Sequence, residues 1–308
     1  MSRIKVAVIG AGYLGEFHAQ KYKANKDVDL IAIVDTNITR CEEIARKNNA
    51  HTYNNYKDIT DLIDAVSIVV PTNLHYKIAN HFIKHNKHVL IEKPFASNLS
   101  EAKKLEKKSA EKNIILQVGH LERFNKAFVK LKKKVRNPIF IECNRISTFK
   151  VRGTEVDVIM DLMIHDLDII MALNKSPIKN IYANGASVLT NRTDIANARI
   201  TFNNDCVCNL SASRISDKLE RKVRVFQKNS YFSLDFQKCE LDSYKKISSG
   251  NIKKIKREKD EFEKNDSLEE EIKSFINCIK NNKNPIVNAS DGIQALKYAI
   301  KISNLIKK

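Results

Sequence analysis

Along the first 120 residues, short uninterrupted apolar runs alternate with longer stretches whose apolar positions recur at helical spacing. The runs Ile4 to Ile9, Leu30 to Val34, Val66 to Val70, Val89 to Ile91 and Ile114 to Val118 are β-branched and nearly free of polar positions. That is the pattern of strands buried on both faces of a parallel sheet. Between them, Glu16 to Lys23, Arg40 to Asn48, His75 to Asn86 and Ser100 to Lys112 read as helices, the last with Ser97 or Ser100 as its N-cap. The alternation predicts a doubly wound α/β domain over 1–120.

After Gly119 the period changes. A Lys-rich helical segment from Asn125 to Val135 comes first. Past Pro138 the runs IFIECNRISTF, IYANGASVL, IANARITF, CVCNLSASRI, KVRVFQ and YFSLDF alternate as strands of an antiparallel sheet covered on one face would. An apolar helix, Val156 to Leu173, interrupts them, and helices at Leu268 to Lys280 and Asp291 to Ile306 close the chain around Pro285. ISSGNIKKIKREKDEFEKND reads as a charged loop or hairpin. Residues 121–308 are therefore expected to form a second, α+β domain with an open, mostly antiparallel sheet.

Composition changes this picture little. A net charge of +18, from 54 Lys and Arg against 36 Asp and Glu, raises a polyanion partner. The lysines, however, crowd into helix-face patterns such as EAKKLEKKSAEK without interleaved aromatics, so neither nucleic acid nor membrane is expected as a partner. No apolar run reaches the roughly 18 residues that a bilayer span needs. In MSRIKVAVIG a glycine comes too early for a secretory core, so a cytoplasmic location is expected. Cys41, Cys143, Cys206, Cys208, Cys239 and Cys278 contain no CxxC pair, and neither a metal site nor a disulfide framework is expected.

Glycine is scarce, 8 in 308 residues, and three of the eight are Gly10, Gly12 and Gly15. They form GAGYLG between the first strand and the first helix, the context in which GxGxxG carries meaning. The first allows a tight turn, the second lets a pyrophosphate approach, and the third lets helix pack on strand, while Tyr13 and Leu14 complete the loop that would contact a dinucleotide. Asp35 ends the second strand twenty positions after Gly15, where a carboxylate accepts from ribose hydroxyls and selects NAD. Arg40 leaves NADP open. Pro71 and Pro94 fall just past strand ends, where ligands bind in open α/β sheets. Thr72, Asn73 and His75 are then candidate cofactor contacts, although His75 fits equally well as a polar residue opening a helix.

Lys93, between Glu92 and Pro94 at the end of the fifth strand, would aim its ammonium at the nicotinamide end of that crevice. In VDVIMDLMIHDLDIIMAL, Asp161, His165 and Asp168 fall at i, i+4 and i+7 on an otherwise apolar helix. Asp161 could hold His165 in one tautomer for general-base work. A structural histidine and a metal site are the other readings, and the second lacks a further ligand nearby.

GAGYLG, the EKP tripeptide at Glu92 to Pro94 and the DLMIHDLD segment together resemble the Gfo/Idh/MocA oxidoreductases over essentially the whole chain. The resemblance implies a Rossmann domain followed by an α/β domain whose open sheet carries substrate and often the homo-oligomer interface. It also implies that Lys93, Asp161 and His165 are catalytic and that Glu92 and Lys93 meet the cofactor. VGHLERFN and VRGTEVDVIMDLMIHD are similar to the bacterial branch acting on nucleotide sugars, especially UDP-N-acetylglucosamine 3-dehydrogenases of lipopolysaccharide or lipid A biosynthesis. In that reading Arg123, Asn125, Lys150 and Arg152 join Asp161 and His165 as substrate contacts, with the cations near a diphosphate. The expected activity is NAD-dependent oxidation of a sugar hydroxyl, at C3 of UDP-N-acetylglucosamine, and it requires Lys93 and His165 to face one nicotinamide ring. The alternatives are a dehydrogenase of a free sugar or inositol, and a non-catalytic NAD-binding protein.

Overall fold

Most side chains of the central strands of the first sheet are withdrawn from water on both faces, which is why those strands read as continuous apolar runs. The computed structural model describes residues 3–150, 156–249, 252–263 and 266–307. The chain divides into two units, Met1–Leu121 with Ser267–Leu296 and Glu122–Asp266 with Lys297–Lys308.

In the first unit, β1 (Ile4–Ile9), α1 (Tyr13–Ala24), β2 (Val28–Val34), α2 (Ile38–Asn48), β3 (His51–Tyr53), β4 (Ala65–Ile68), α3 (Thr72–Lys84), β5 (His88–Glu92), α4 (Leu99–Glu111) and β6 (Leu116–Gly119) follow one another. The six strands run parallel in the order β3-β2-β1-β4-β5-β6. The order reverses beside β1, so the crevice for a ligand lies beyond the carboxyl ends of β1 and β4. Two local features differ from the sequence reading. β3 is a short edge strand with no buried residue and hence no apolar run. α4 is capped by Asn98, which accepts the Glu101 N–H at 3.0 Å, and not by Ser97 or Ser100.

The second unit contains α5 (Lys126–Lys134), β7 (Pro138–Ile146), a π-turn at Ile159–Met163 continuing into α6 (Ile164–Leu173), and then β8 (Ile178–Ala186), β9 (Ile195–Phe202), β10 (Val207–Ser213), β11 (Glu220–Gln227), β12 (Ser230–Asp235), β13 (Glu240–Ser249) and β14 (Ile252–Glu261). They make one sheet in the order β14-β13-β12-β11-β7-β10-β9-β8. β7 and β10 pair in parallel and all other neighbours antiparallel. Alternate burial along β9 and β10 shows one covered face. Of the charged stretch expected as a loop or hairpin, the described residues Ile252–Glu261 form β14, antiparallel to β13.

Two more helices follow, α7 (Ser267–Asn281) and α8 (Ala289–Ile306). Ile272, Phe275 and Ile276 of α7 are buried in the same cluster as Ala19 and Tyr22 of α1, so a late segment of the chain completes the first core. Among the described residues, no helix is long and apolar enough to cross a membrane. All six cysteines are buried and unbridged.

Paired charges hold the π-turn and α6 in place. Arg145 of β7 grips Asp166 through Nε at 3.1 Å and Nη2 at 2.9 Å, and reaches Glu122 through Nη1 at 2.9 Å. One residue-pair further on, Arg123 Nη1 meets Asp168 at 3.2 Å, with both side chains buried. The start of the segment is tied down as well: Arg214 Nη2 donates to the Val156 carbonyl at 2.7 Å and Val158 N–H to Thr193 at 2.9 Å. Beside Thr193, the buried carboxylate of Asp194 accepts the backbone N–H groups of Val188, Leu189 and Thr190 and the Thr190 hydroxyl. Burial alone would raise its pKa, but these donors outweigh burial and hold the carboxyl down at about 2.

Two stability measurements check this account. Replacing Arg145 with Met leaves Glu122 and Asp166 buried as neighbouring acids, so denaturant unfolding should show a loss of about 3–5 kcal/mol, and Arg145→Lys a smaller one. Asp194 has a depressed folded-state pKa, so its stabilisation is present above the ordinary carboxylate range and is lost as pH falls through about 2. The stability gap between the native chain and Asp194→Asn should be about 2 kcal/mol near neutrality and close as the medium is acidified across that window.

Candidate active site

The turn after β1 can be built only from glycine at two of its three positions. Gly10 has φ +108°, and a Cβ there would stand 2.2 Å from the Val69 carbonyl oxygen. A Cβ on Gly15 would stand 1.8 Å from the Gly10 carbonyl oxygen, so this glycine closes the loop on itself before α1 packs on the strand. Gly12 is different. Nothing lies within 4 Å of its added Cβ, and it caps α1 without a side-chain hydrogen bond. A helix start left open in this way, at the carboxyl end of a parallel strand, fits a pyrophosphate. Tyr13 is exposed and Leu14 half-buried at the same place.

Asp35 lies just past β2 and is bonded to that loop. Its Oδ2 accepts the Ala11 N–H at 2.6 Å and its Oδ1 the Asn37 N–H at 2.8 Å. Each carboxylate oxygen keeps a second lone-pair direction, so the acid can both fix the loop and receive ribose hydroxyls. Arg40 does not stand open: it bridges Glu16 and Glu43, and Lys47 joins the same two acids. The Arg40 bond holds the Glu43 carboxyl down at about 2.

Beyond β4 and β5 two turns face the same end of the sheet. Pro71 caps α3, Thr72 is half-buried and Asn73 exposed in its first turn. His75 points inward, with Nδ1 and Nε2 2.9 and 2.8 Å from the carbonyl oxygens of Pro94 and Val70. Burial pushes its pKa below the ordinary imidazole value. The ring thus sits between the two turns, within reach of both carbonyls and with one N–H to donate. Glu92 is also buried. Its Oε2 accepts the Lys93 N–H at 3.2 Å, its Oε1 lies 3.2 Å from His18 Nε2, and its flank presses on Gly119, where a Cβ would come within 3.1 Å of the carboxylate. Burial by itself raises this carboxyl, yet the hydrogen bond from His18 and the charge and N–H of Lys93 hold it below the ordinary value. Lys93 itself is half-buried at the mouth of the turn. His18, Ser67 and Tyr22 were not singled out by the sequence; a serine inside the apolar run of β4 was the available signal.

In the second unit the polar residues of the π-turn and α6 differ in burial. Asp161 and His165 are half-buried, whereas Asp166 and Asp168 are fully enclosed and paired with arginines. Along the expected stripe Asp168 is enclosed with Arg123, whereas Asp161 and His165 stay partly accessible. π-turns of this kind recur at functional sites. Arg123 and Asn125, expected as substrate contacts, are committed to the interior. Arg123 is 4% exposed and bound to Asp168, and Asn125 caps α5 by accepting the Ala127 and Phe128 N–H groups. Lys150 is exposed, and Arg152 lies outside the described residues.

The family described as "Oxidoreductase family, NAD-binding Rossmann fold", Gfo/Idh/MocA, matches residues 4–120, and its C-terminal alpha/beta domain matches residues 150–303. The UDP-N-acetylglucosamine 3-dehydrogenase of Acidithiobacillus ferrooxidans is 34% identical over 306 residues, covering 98% of this chain and 97% of that protein. A solved structure of that enzyme superposes with a TM-score of 0.93 at 33% identity, covering 100% of this chain and 99% of its own. The myo-inositol 2-dehydrogenase of Thermotoga maritima is 26% identical over 324 residues, 97% of this chain and 96% of its own. A scyllo-inositol dehydrogenase from Lactobacillus casei, solved with NAD(H) and scyllo-inositol, shares the fold at TM-score 0.84 and 19% identity, covering 99% of this chain and 97% of its own. The glycine cradle and the two-unit fold thus agree with full-length likeness, and the chain belongs to the Gfo/Idh/MocA oxidoreductases, dehydrogenases that act on CH–OH groups with NAD(P).

Proposed function

We propose that the chain is an NAD-dependent dehydrogenase that oxidises a secondary hydroxyl of a sugar, C3 of UDP-N-acetylglucosamine, to the 3-keto sugar. The observation that carries this reading is the full-length likeness to a UDP-N-acetylglucosamine 3-dehydrogenase. When bound, the dinucleotide accepts the hydride from the sugar carbon. The protein's part is to hold the sugar and to manage the proton. His165 takes the hydroxyl proton, Asp161 holds its imidazole and supports the charge it gains, and Lys93 donates a hydrogen bond to a substrate oxygen. Gly10, Gly12, Gly15 and the start of α1 receive the pyrophosphate, with Thr72 and Asn73 along the neighbouring turn. Lys150, exposed near the segment that precedes the π-turn, is available to the UDP diphosphate.

NAD is favoured over NADP by two features. A 2′-phosphate would meet the Asp35 carboxylate, and the nearest candidate cation, Arg40, is already held by Glu16 and Glu43.

Absorbance of reduced nicotinamide, followed while the protein meets NAD and UDP-N-acetylglucosamine, tests the reading directly. Turnover on free inositol or glucose in place of the nucleotide sugar would transfer it to the inositol branch, which the Thermotoga likeness supports. His165→Ala should lower kcat by about two orders of magnitude or more while NADH affinity stays within a few-fold. Unchanged turnover removes His165 from the mechanism. Asp35→Ala should weaken NAD binding about 10- to 100-fold, the worth of a hydrogen bond to a charged group, and narrow the preference over NADP. Equal loss for both dinucleotides, read by NADH and NADPH fluorescence titration, would count against ribose recognition by Asp35.

A further inference from the structure

Behind Lys93 the first unit contains a continuous buried chain of polar side chains that the proposed reaction does not use. Tyr22 Oη lies 2.7 Å from Ser67 Oγ, Ser67 Oγ 3.3 Å from His18 Nδ1, and His18 Nε2 3.2 Å from Glu92 Oε1. The other carboxylate oxygen of Glu92 accepts the Lys93 N–H at 3.2 Å. His18 and Tyr22 belong to α1, Ser67 to β4 and Glu92 to β5. An ionised carboxylate only accepts, so His18 Nε2 carries the proton, and Nδ1 can then accept from Ser67 while Ser67 accepts from Tyr22. With that assignment every donation along the chain runs toward Glu92, and each buried polar atom in it is satisfied. Tyr22 is fully buried, so the chain ends in the interior on that side and serves to hold α1 against β5.

From this geometry we infer that His18 is a positioning residue for Lys93. It acts through Glu92 and the Lys93 peptide and fixes the helix that receives the dinucleotide to the strand end that presents the ammonium. The inference rests on the catalytic reading of Lys93 only for its effect on turnover. The position of the amine can be read without substrate.

The test uses the full chain with His18→Leu, His18→Gln, which keeps a donor toward Glu92, and the milder Ser67→Ala, with Lys93→Met alongside. Trace acylation with acetic anhydride, read residue by residue by mass spectrometry across pH, reports the Lys93 amine. NADH titration and kinetics with UDP-N-acetylglucosamine report the rest. In His18→Leu the Lys93 acylation profile should shift while that of Lys108 does not. Its kcat should fall about tenfold or more with sugar KM and NADH affinity within about threefold, the pattern of a displaced group. His18→Gln should recover most of both, and Ser67→Ala should show a smaller shift in the same direction. If His18→Leu does not fold, the other two variants decide. Unchanged Lys93 acylation in folded His18 and Ser67 variants overturns the inference, as does a kcat loss matched only by a loss of folded protein. Full turnover in Lys93→Met removes the catalytic role of Lys93, and the acylation profiles then decide the positioning alone.

Discussion

A carboxylate removed from water must be met by a cation or by hydrogen-bond donors, and this requirement fixes both places where reactive side chains gather. In the first unit Glu92 is enclosed and bonded to His18 and to the next peptide. In the second, Asp166 and Asp168 are enclosed and bonded to Arg145 and Arg123. The residues beside them in sequence, Lys93 and His165, remain partly accessible. A reactive side chain is thus adjacent to an acid that cannot move without leaving a charge uncompensated. That gives precision to the backbone while the neighbouring side chain stays partly accessible.

The second constraint is steric. At Gly10 and Gly15 the backbone approaches Val69 and itself so closely that no side chain fits, whereas the space around Gly12 is open. The loop is rigid where it touches protein and empty where a phosphate would lie. Because α1 begins at that loop and carries His18 one turn later, the cradle and the end of β5 share a structural element. Asp35 adds a further tie by bonding the Ala11 N–H across β1 and β2.

Much of this was legible from local pattern. β-branched runs located the parallel strands, the glycine spacing located the turn before α1, and the polar positions of an apolar helix led to the proposal of Asp161 and His165. The failures have physical reasons. Ser97 and Ser100 are as good N-caps as Asn98 by residue type, and only the path of the chain decides which one reaches the Glu101 N–H. Arg123 was expected as a substrate contact, and nothing near it in sequence shows that it would be buried against Asp168 of another element. Along the stripe of Asp161, His165 and Asp168 the sequence could not show that Asp168 alone would be enclosed, because its partner Arg123 lies on another element.

By itself the sequence determined the periodicity of each element, the class of fold and the identity of the dinucleotide loop. These depend on residues near one another along the chain and on steric limits that hold in any context. Only the tertiary structure decided which polar residues are buried, which acid each buried base meets, and that α7 completes the first core. Those outcomes depend on partners tens of residues apart, and a buried ion carries the same letter in the sequence as a solvated one until the fold removes the water around it.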